Sequence, residues 1–377
     1  MQGWLLAVSG GFFALGWIFA MVRQHLLIRA AARAPQRMAE AIEKIRSGRR
    51  LEAADFLLES EYSPGGTSDL HLVAASLLRE QGEYGRAIQI HKRLRAAAAA
   101  SDADARAQAT YELGLDYFMA GFLDLAEECF RQLADSRYAD QAMEKLLFIH
   151  LRTRSWAAAV DAYRKMEEAR PDLQAPRSIL AHLYCEWASE FDRASRERIE
   201  KLDSALQAWP QSVRALLLRG DCALVAGDAA GACEYWNRAR WQPGLLFMLP
   251  ERILDAYAKM DKKQEGFDQV SQLLAEHYSP ALLAATCQAV RTRFGNKQLM
   301  PLVEKALDAK EVTAAYEWLE VHSQNDDVYH KLHQAMLSDP GKRFRCTSCG
   351  YRSSHHSWQC PQCLAWDSVE QSDASVE

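Results

Sequence analysis

The stretch Tyr111–Leu133 reads YELGLDYFMAGFLDLAEECFRQL, two helix-length amphipathic runs with Gly121 between them. Leu113-Gly114, Tyr117, Ala126 and Phe130 alternate small and large side chains across the two runs. Small residues at Gly114 and Ala126 let two paired helices approach closely, and the large residues fill the space beside them. Gly121 suits the left-handed backbone that closes a helix. The skeleton recurs: Ala75, Leu78, Gly82, Ala87, His91 upstream; Leu147, His150, Ala159, Tyr163 and then Gly220, Ala223, Gly227, Ala232, Trp236 downstream. Ala87, Ala126 and Ala159 are 39 and 33 residues apart, and Ala232 lies 73 beyond Ala159, room for one more unit at Ser178–Pro210 containing AHLYCEWA. A helix pair of this kind cannot bury its apolar face alone, so units must stack.

This is the tetratricopeptide pattern, and it predicts an all-α superhelical solenoid over 39–338. Consensus fades after Ala239, although helical periodicity continues through Leu254–Leu274 and Ala281–Leu307. Glycine (19) and proline (11) are sparse in 377 residues, which favours helix. The alanine run Ala96–Ala100 reads as a helix end, with Ser101 and Asp104 capping the next helix. No phosphate loop, nucleophile elbow or His-Glu-x-x-His motif is present, so the chain is read as a binding scaffold rather than an enzyme. The concave side of such an array is a typical protein-binding surface. Cys129, Cys185, Cys222, Cys233 and Cys287 stand singly in apolar stretches and are read as packing residues in a reducing compartment.

Gly3–Val22, GWLLAVSGGFFALGWIFAMV, contains no charged residue. A twenty-residue helix rises about 30 Å, enough to span a bilayer core. Nothing basic precedes it, as a cleavable signal would require, whereas Arg23, Arg29, Arg33 and Arg37 follow. The expectation is a single-pass anchor over 1–22, a basic juxtamembrane segment over 23–38, and the bulk of the chain on the cytoplasmic side. Lys and Arg total 45 against 50 acids, a formal charge of -5, which gives no support for nucleic-acid binding.

The tail reads RFRCTSCGYRSSHHSWQCPQCLAW. Cys346-x2-Cys349 and Cys360-x2-Cys363 form two hairpin-type pairs, a ligand set for one zinc or iron ion in a tetrahedral all-thiolate site. Gly350 and Pro361 suit tight rubredoxin-like turns. Tyr351, Trp358 and Trp366 are expected to cover the metal core, and His355 and His356 to face solvent. A closed four-thiolate shell leaves no position for substrate, which favours a structural or docking role. The expected limits are 339–369 for this metal-binding knuckle and 370–377 for a flexible tail.

Taken together, the anchor, the repeats and the knuckle resemble the lipopolysaccharide assembly protein B family of Gram-negative bacteria. The segments that carry the resemblance are HLVAASLLREQGEYGRAIQIHKRL at His71–Leu94, Tyr111–Leu133, AHLYCEWA at Ala181–Ala188, and the FRCTSCGY…WQCPQCLAW tail. The resemblance implies an inner-membrane regulator of lipopolysaccharide synthesis. Its partners would be the membrane protease FtsH, the deacetylase LpxC and lipopolysaccharide export proteins. It also implies metal binding at Cys346, Cys349, Cys360 and Cys363, with a knuckle that packs on the repeats. Two other readings stay open: an electron-transfer protein using iron in the knuckle, and an adaptor for a different membrane complex.

Overall fold

The computed structural model describes residues 39–59, 68–98, 102–169, 177–295, 298, 302 and 344–371. The predicted anchor at 1–22, the basic segment at 23–38 and Ser101 lie outside the described residues, as does most of 296–343. Among the described residues no helix is long and apolar enough to cross a membrane. The chain divides into two compact units, Met1–Arg170 and Pro171–Glu377.

The first unit is wholly helical among its described residues. Residues 39–46 are followed by α1 (Arg50–Leu58), α2 (Ser68–Glu80), α3 (Tyr84–Ala97), α4 (Ala103–Met119), α5 (Leu123–Arg131), α6 (Ala139–Thr153) and α7 (Trp156–Ala169). Each helix packs on its neighbours in sequence. The second unit continues with α8 (Arg177–Ser189), α9 (Arg196–Ala208), α10 (Val213–Val225) and α11 (Ala229–Arg238). Two 3-10 turns, Ala239–Trp241 and Pro243–Met248, lead into α12 (Pro250–Lys259), α13 (Lys263–Glu276) and α14 (Pro280–Phe294). A small antiparallel sheet completes it, with β1 (Phe344–Cys346) between β2 (Arg352–Ser353) and β3 (Val369–Gln371).

The helix pairs close by one device. In six hairpins the amide just past the turn donates a 2.9 Å bond to a carbonyl in the last turn of the preceding helix. The bonds run from Arg49 to Lys44, Glu83 to Leu78, Phe122 to Tyr117, Ser155 to His150, Asp228 to Ala223 and Lys262 to Tyr257. Such a bond requires left-handed backbone at the residue between. Gly48, Gly82, Gly121 and Gly227 supply it in four hairpins, and Arg154 (φ 55) and Asp261 (φ 59) in the other two. Although consensus fades after Ala239, the hairpin geometry persists in α12 and α13, with Asp261 at the turn. The α8–α9 pair has a longer turn, over which Arg198 Nη1 donates to the Phe191 carbonyl at 3.0 Å. The cap of α4 is Asp102, which accepts from the Ala105 amide, while Asp104 sits in the first turn rather than at the cap.

Small residues hold the paired helices together at short range. A Cβ added at Gly114 would fall 2.8 Å from Phe130 Cε1, and one at Gly266 would fall 2.6 Å from Tyr257 Cβ. At Gly220 it would overlap the indole of Trp236, whose Nε1 donates to the Leu217 carbonyl at 3.2 Å. Cys129, Cys185, Cys222 and Cys287 are buried in this packing, and Cys233 is half-buried. Burial pushes the Cys185 thiol up to about 12.

Charged pairs then tie successive hairpins together. In the second unit the arginine of each first helix reaches back to a carboxylate on the preceding one. Arg214 Nη2 donates to Glu186 at 2.9 Å, Arg252 grips Asp221 with two bonds of 2.7 and 2.9 Å, and Arg293 Nε meets Asp255 at 3.1 Å. The first unit buries a network instead. Asp116, fully inaccessible, accepts from Arg79 at 2.9 Å and pairs with His91 Nδ1 at 2.6 Å, while Arg79 also reaches Glu112 at 2.7 Å. His91 stands at the skeleton position that Phe130, Tyr163 and Trp236 fill elsewhere, so a polar core replaces an aromatic one there. Asp116→Ala leaves Arg79 and His91 facing an uncompensated site and is expected to destabilise the protein by about 3–5 kcal/mol, measured by urea unfolding.

Candidate metal centre

Two short turns with the same backbone pattern present the four sulfurs. In the first, the Gly350 amide donates to Cys346 O at 2.9 Å and the Cys346 amide to Tyr351 O at 2.7 Å. In the second, the Leu364 amide donates to Cys360 O and the Cys360 amide to Ala365 O, both at 2.9 Å. Both turns need left-handed backbone after the second cysteine, and Gly350 (φ +77) and Leu364 (φ 60) provide it. The sequence marks the first turn with glycine; leucine at the second gave no such signal.

All four Sγ atoms lie within 4.8 Å of one another, with Cys346–Cys363 and Cys349–Cys360 each at 3.7 Å. A disulfide would bring two sulfurs to about 2 Å. A tetrahedron with metal–sulfur bonds of about 2.3 Å has edges of about 3.8 Å. The donor set therefore fits a single ion in a four-cysteine site. The sulfurs differ in their electrostatics. The hydrogen-bond contact between the Cys346 sulfur and Ser368 Oγ, 3.3 Å apart, pulls that thiol down to about 6. At Cys349 the Tyr351 amide favours the thiolate, but burial and hydrogen bonds with the other three sulfurs outweigh it and push the thiol up to about 12. Four thiolates at these distances need a cation between them. Cys346 and Cys360 are buried, and Cys349 and Cys363 reach the surface.

Neither histidine joins the sulfurs. His355 is exposed, as expected, but His356 is partly buried, against the expectation of a solvent position. Its ring packs edge-on against Phe247 (6.2 Å), Phe344 (5.8 Å) and Trp358 (4.9 Å). Burial pulls its pKa down to about 4, so the ring stays neutral.

Tyr351 packs with Phe344, Cys346, Cys360 and Val369, covering the centre as expected. Trp358 and Trp366 do something else: they face the helices. His182 of α8, almost wholly buried, stacks on Trp366 (centroids 4.8 Å apart, planes 10° apart), and its Nε2 donates to Asp367 Oδ2 at 2.8 Å. Arg214 of α10 lays its guanidinium over Trp358 at 5.9 Å and Trp366 at 6.0 Å while donating to Glu186 of α8. Phe247, in the 3-10 turn before α12, packs on Phe344 at 5.9 Å. The knuckle is thus clasped to its own helical unit through residues on three separate elements. His182 and Glu186 lie in the AHLYCEWA stretch, so this unit departs from the repeat consensus at the helix that carries the ribbon. Single-residue reading missed His182, Arg214 and Asp367, because nothing local marks a contact between positions 185 residues apart.

A family profile described as "Rubredoxin metal binding domain" matches residues 344–371, and one described as "Tetratricopeptide repeat" matches 111–173 and 199–244. The chain is 26% identical over 343 residues to "Lipopolysaccharide assembly protein B" of Escherichia coli strain K12, covering 86% of each chain. It is 25% identical over 338 residues to the Haemophilus influenzae protein of the same name, covering 83% of this chain and 81% of that one. Over most of its length the chain is similar to proteins named lipopolysaccharide assembly protein B. Among solved structures, a tetratricopeptide repeat protein from Parabacteroides merdae aligns over 81% of this chain and 98% of its own, at 12% identity and a TM-score of 0.35.

Two outcomes follow from the clasp. Chelating the metal is expected to unfold the ribbon, because ion binding supplies much of the folding free energy of such a small unit. Trp358 and Trp366 should then red-shift in fluorescence while helical circular dichroism persists. A double-mutant cycle of His182→Ala with Asp367→Asn is expected to give a coupling of about 1–2 kcal/mol in thermal or urea unfolding, with metal content unchanged. A coupling near zero would show the contact to be incidental.

Proposed function

We propose that the chain is an adaptor in lipopolysaccharide assembly, without catalytic activity of its own. The observation that carries this reading is the clasped ribbon in a chain that aligns over most of its length with proteins named for that process. A four-sulfur site closed around one ion has no open coordination position, and its surroundings are spent on holding the ribbon against α8 and α10. The geometry suits a rigid binding surface. The ion is zinc or iron, either of which a tetrahedral thiolate cage accepts.

In the finer form of this reading, the uncharged stretch Gly3–Val22 anchors the chain in the inner membrane, with the repeats on the cytoplasmic side. The repeats present LpxC to the protease FtsH and couple synthesis to export. The anchor would raise the local concentration of client and protease without adding a contact.

Depleting the protein in its native host is expected to lengthen the half-life of LpxC several-fold, followed by pulse-chase. Resupply of the wild type should reverse the effect, and Cys360→Ser should not. An unchanged half-life removes the proteolytic part of the proposal. Purified protein that carries iron and cycles reversibly between two redox states with a partner enzyme would replace the adaptor reading with electron transfer.

A further inference from the structure

The four sulfurs of the ribbon do not share one environment. Cys346 and Cys360 are fully buried, whereas Cys349 and Cys363 reach the surface. The two 3.7 Å contacts each join an exposed sulfur to a buried one, Cys363 to Cys346 and Cys349 to Cys360. A reagent from solvent therefore meets one sulfur of each pair, with its neighbour close behind. Coordination keeps all four as thiolates, the form that an oxidant consumes. The cysteines of the helices offer no such target. Cys129, Cys185, Cys222 and Cys287 are buried, and burial raises the thiols of the first three.

Little besides the ion holds the ribbon. Its cluster of buried residues is Phe344, Cys346, Cys360 and Val369, and two of those four are ligands. Its Trp366 covers His182 of α8, which is left 1% exposed. Loss of the ion would therefore loosen the ribbon and uncover that helix face.

We propose that the ribbon is a peroxide-responsive catch: a hydroperoxide oxidises the exposed sulfur of Cys349 or Cys363, the buried sulfur beside it closes a disulfide, and the ion and then the α8–α10 face are released. The proposal rests on the single-ion reading of the four cysteines. In the first step the exposed thiolate attacks a peroxide oxygen, the O–O bond breaks, hydroxide leaves, and the sulfur becomes a sulfenic acid. In the second the buried thiolate attacks that sulfur, the S–S bond forms, the S–O bond breaks, and a second hydroxide leaves. Two thiolates have given two electrons to the peroxide, and the ion keeps its charge. Two thiolates remain to hold it, half of a closed shell, so it passes to solvent. A dithiol reductant and returned metal reset the catch.

Full-length protein in detergent micelles, purified with its metal, is treated with hydrogen peroxide at neutral pH. Elemental analysis is expected to give about one ion per chain before treatment and little after desalting. Peptide mapping should find Cys346–Cys363 or Cys349–Cys360 disulfides, with Cys129, Cys185, Cys222 and Cys287 still reduced. Diethyl pyrocarbonate reads the uncovered face. His182 should be carbethoxylated several-fold faster after oxidation, while His91, fully buried in the first unit, stays protected and helical circular dichroism persists. Dithiothreitol with added metal should restore both the ion and the protection of His182. Retention of the ion, ribbon cysteines taken only to sulfinic or sulfonic acid, disulfides at other positions, or loss of the ion with His182 still protected would each overturn the proposal. A chain without an ion before treatment would sink the single-ion reading itself, and the catch with it.

Discussion

The helical part of this protein depends on how closely two paired helices can approach. At Gly114, Gly220 and Gly266 the missing Cβ is the space occupied by Phe130, Trp236 and Tyr257. Overfilling a packed interior at any of these contacts costs about 1–3 kcal/mol or more, and the strain would spread to the turns. Once the pair is closed, its carboxyl-terminal carbonyls are satisfied by one bond across a left-handed residue, repeated at 2.9 Å in six hairpins. Packing fixes the pair, the turn fixes its direction, and the arginine–carboxylate contacts between first helices of the second unit then set how one pair follows the next.

The ribbon obeys a different constraint. It has three short strands and a handful of buried apolar residues, too few to hold a fold without cross-links. Coordination takes the place of a core. The sulfurs are set at the spacing of a tetrahedron by two backbone turns of the same design, and the remaining aromatic surface is turned outward onto helices. That arrangement leaves His182 Nδ1 and Arg214 Nη1 buried without a protein partner among the described residues. Unsatisfied buried polar atoms are rare in native structures. The cost is tolerated here because the same two side chains make the stacking and ionic contacts that hold the ribbon.

Much of this was legible in the residues, and what was not has physical reasons. The skeleton of Gly114, Ala126 and Phe130 announced its helix pair because small and large side chains alternate at fixed offsets. The pair formed by α12 and α13 was faint because Asp261 replaces the turn glycine, and a left-handed aspartate looks like any surface acid in a sequence. The four cysteines were legible through spacing alone. Leu364 hid the symmetry of the second turn. Trp358 and Trp366 were recognised as covering residues but given the wrong partner, since a tryptophan's position in sequence does not say which surface it will meet. The buried Arg79–Asp116–His91 network was invisible for the same reason: each member looks like an ordinary polar residue on an amphipathic helix until three helices converge.

Stacked helix pairs are otherwise a local architecture, in which each element touches only those next to it in the chain. The bond between His182 and Asp367 breaks that rule across 185 residues. At elongation rates of about 5–20 residues per second, α8 leaves the ribosome about 10–40 s before the segment that covers it. During that interval the nascent chain carries a helical face whose histidine has no ring to stack on and whose arginine holds only Glu186. The second unit becomes a closed circuit only once Asp367 has been made, so a product truncated before it would leave that face uncovered.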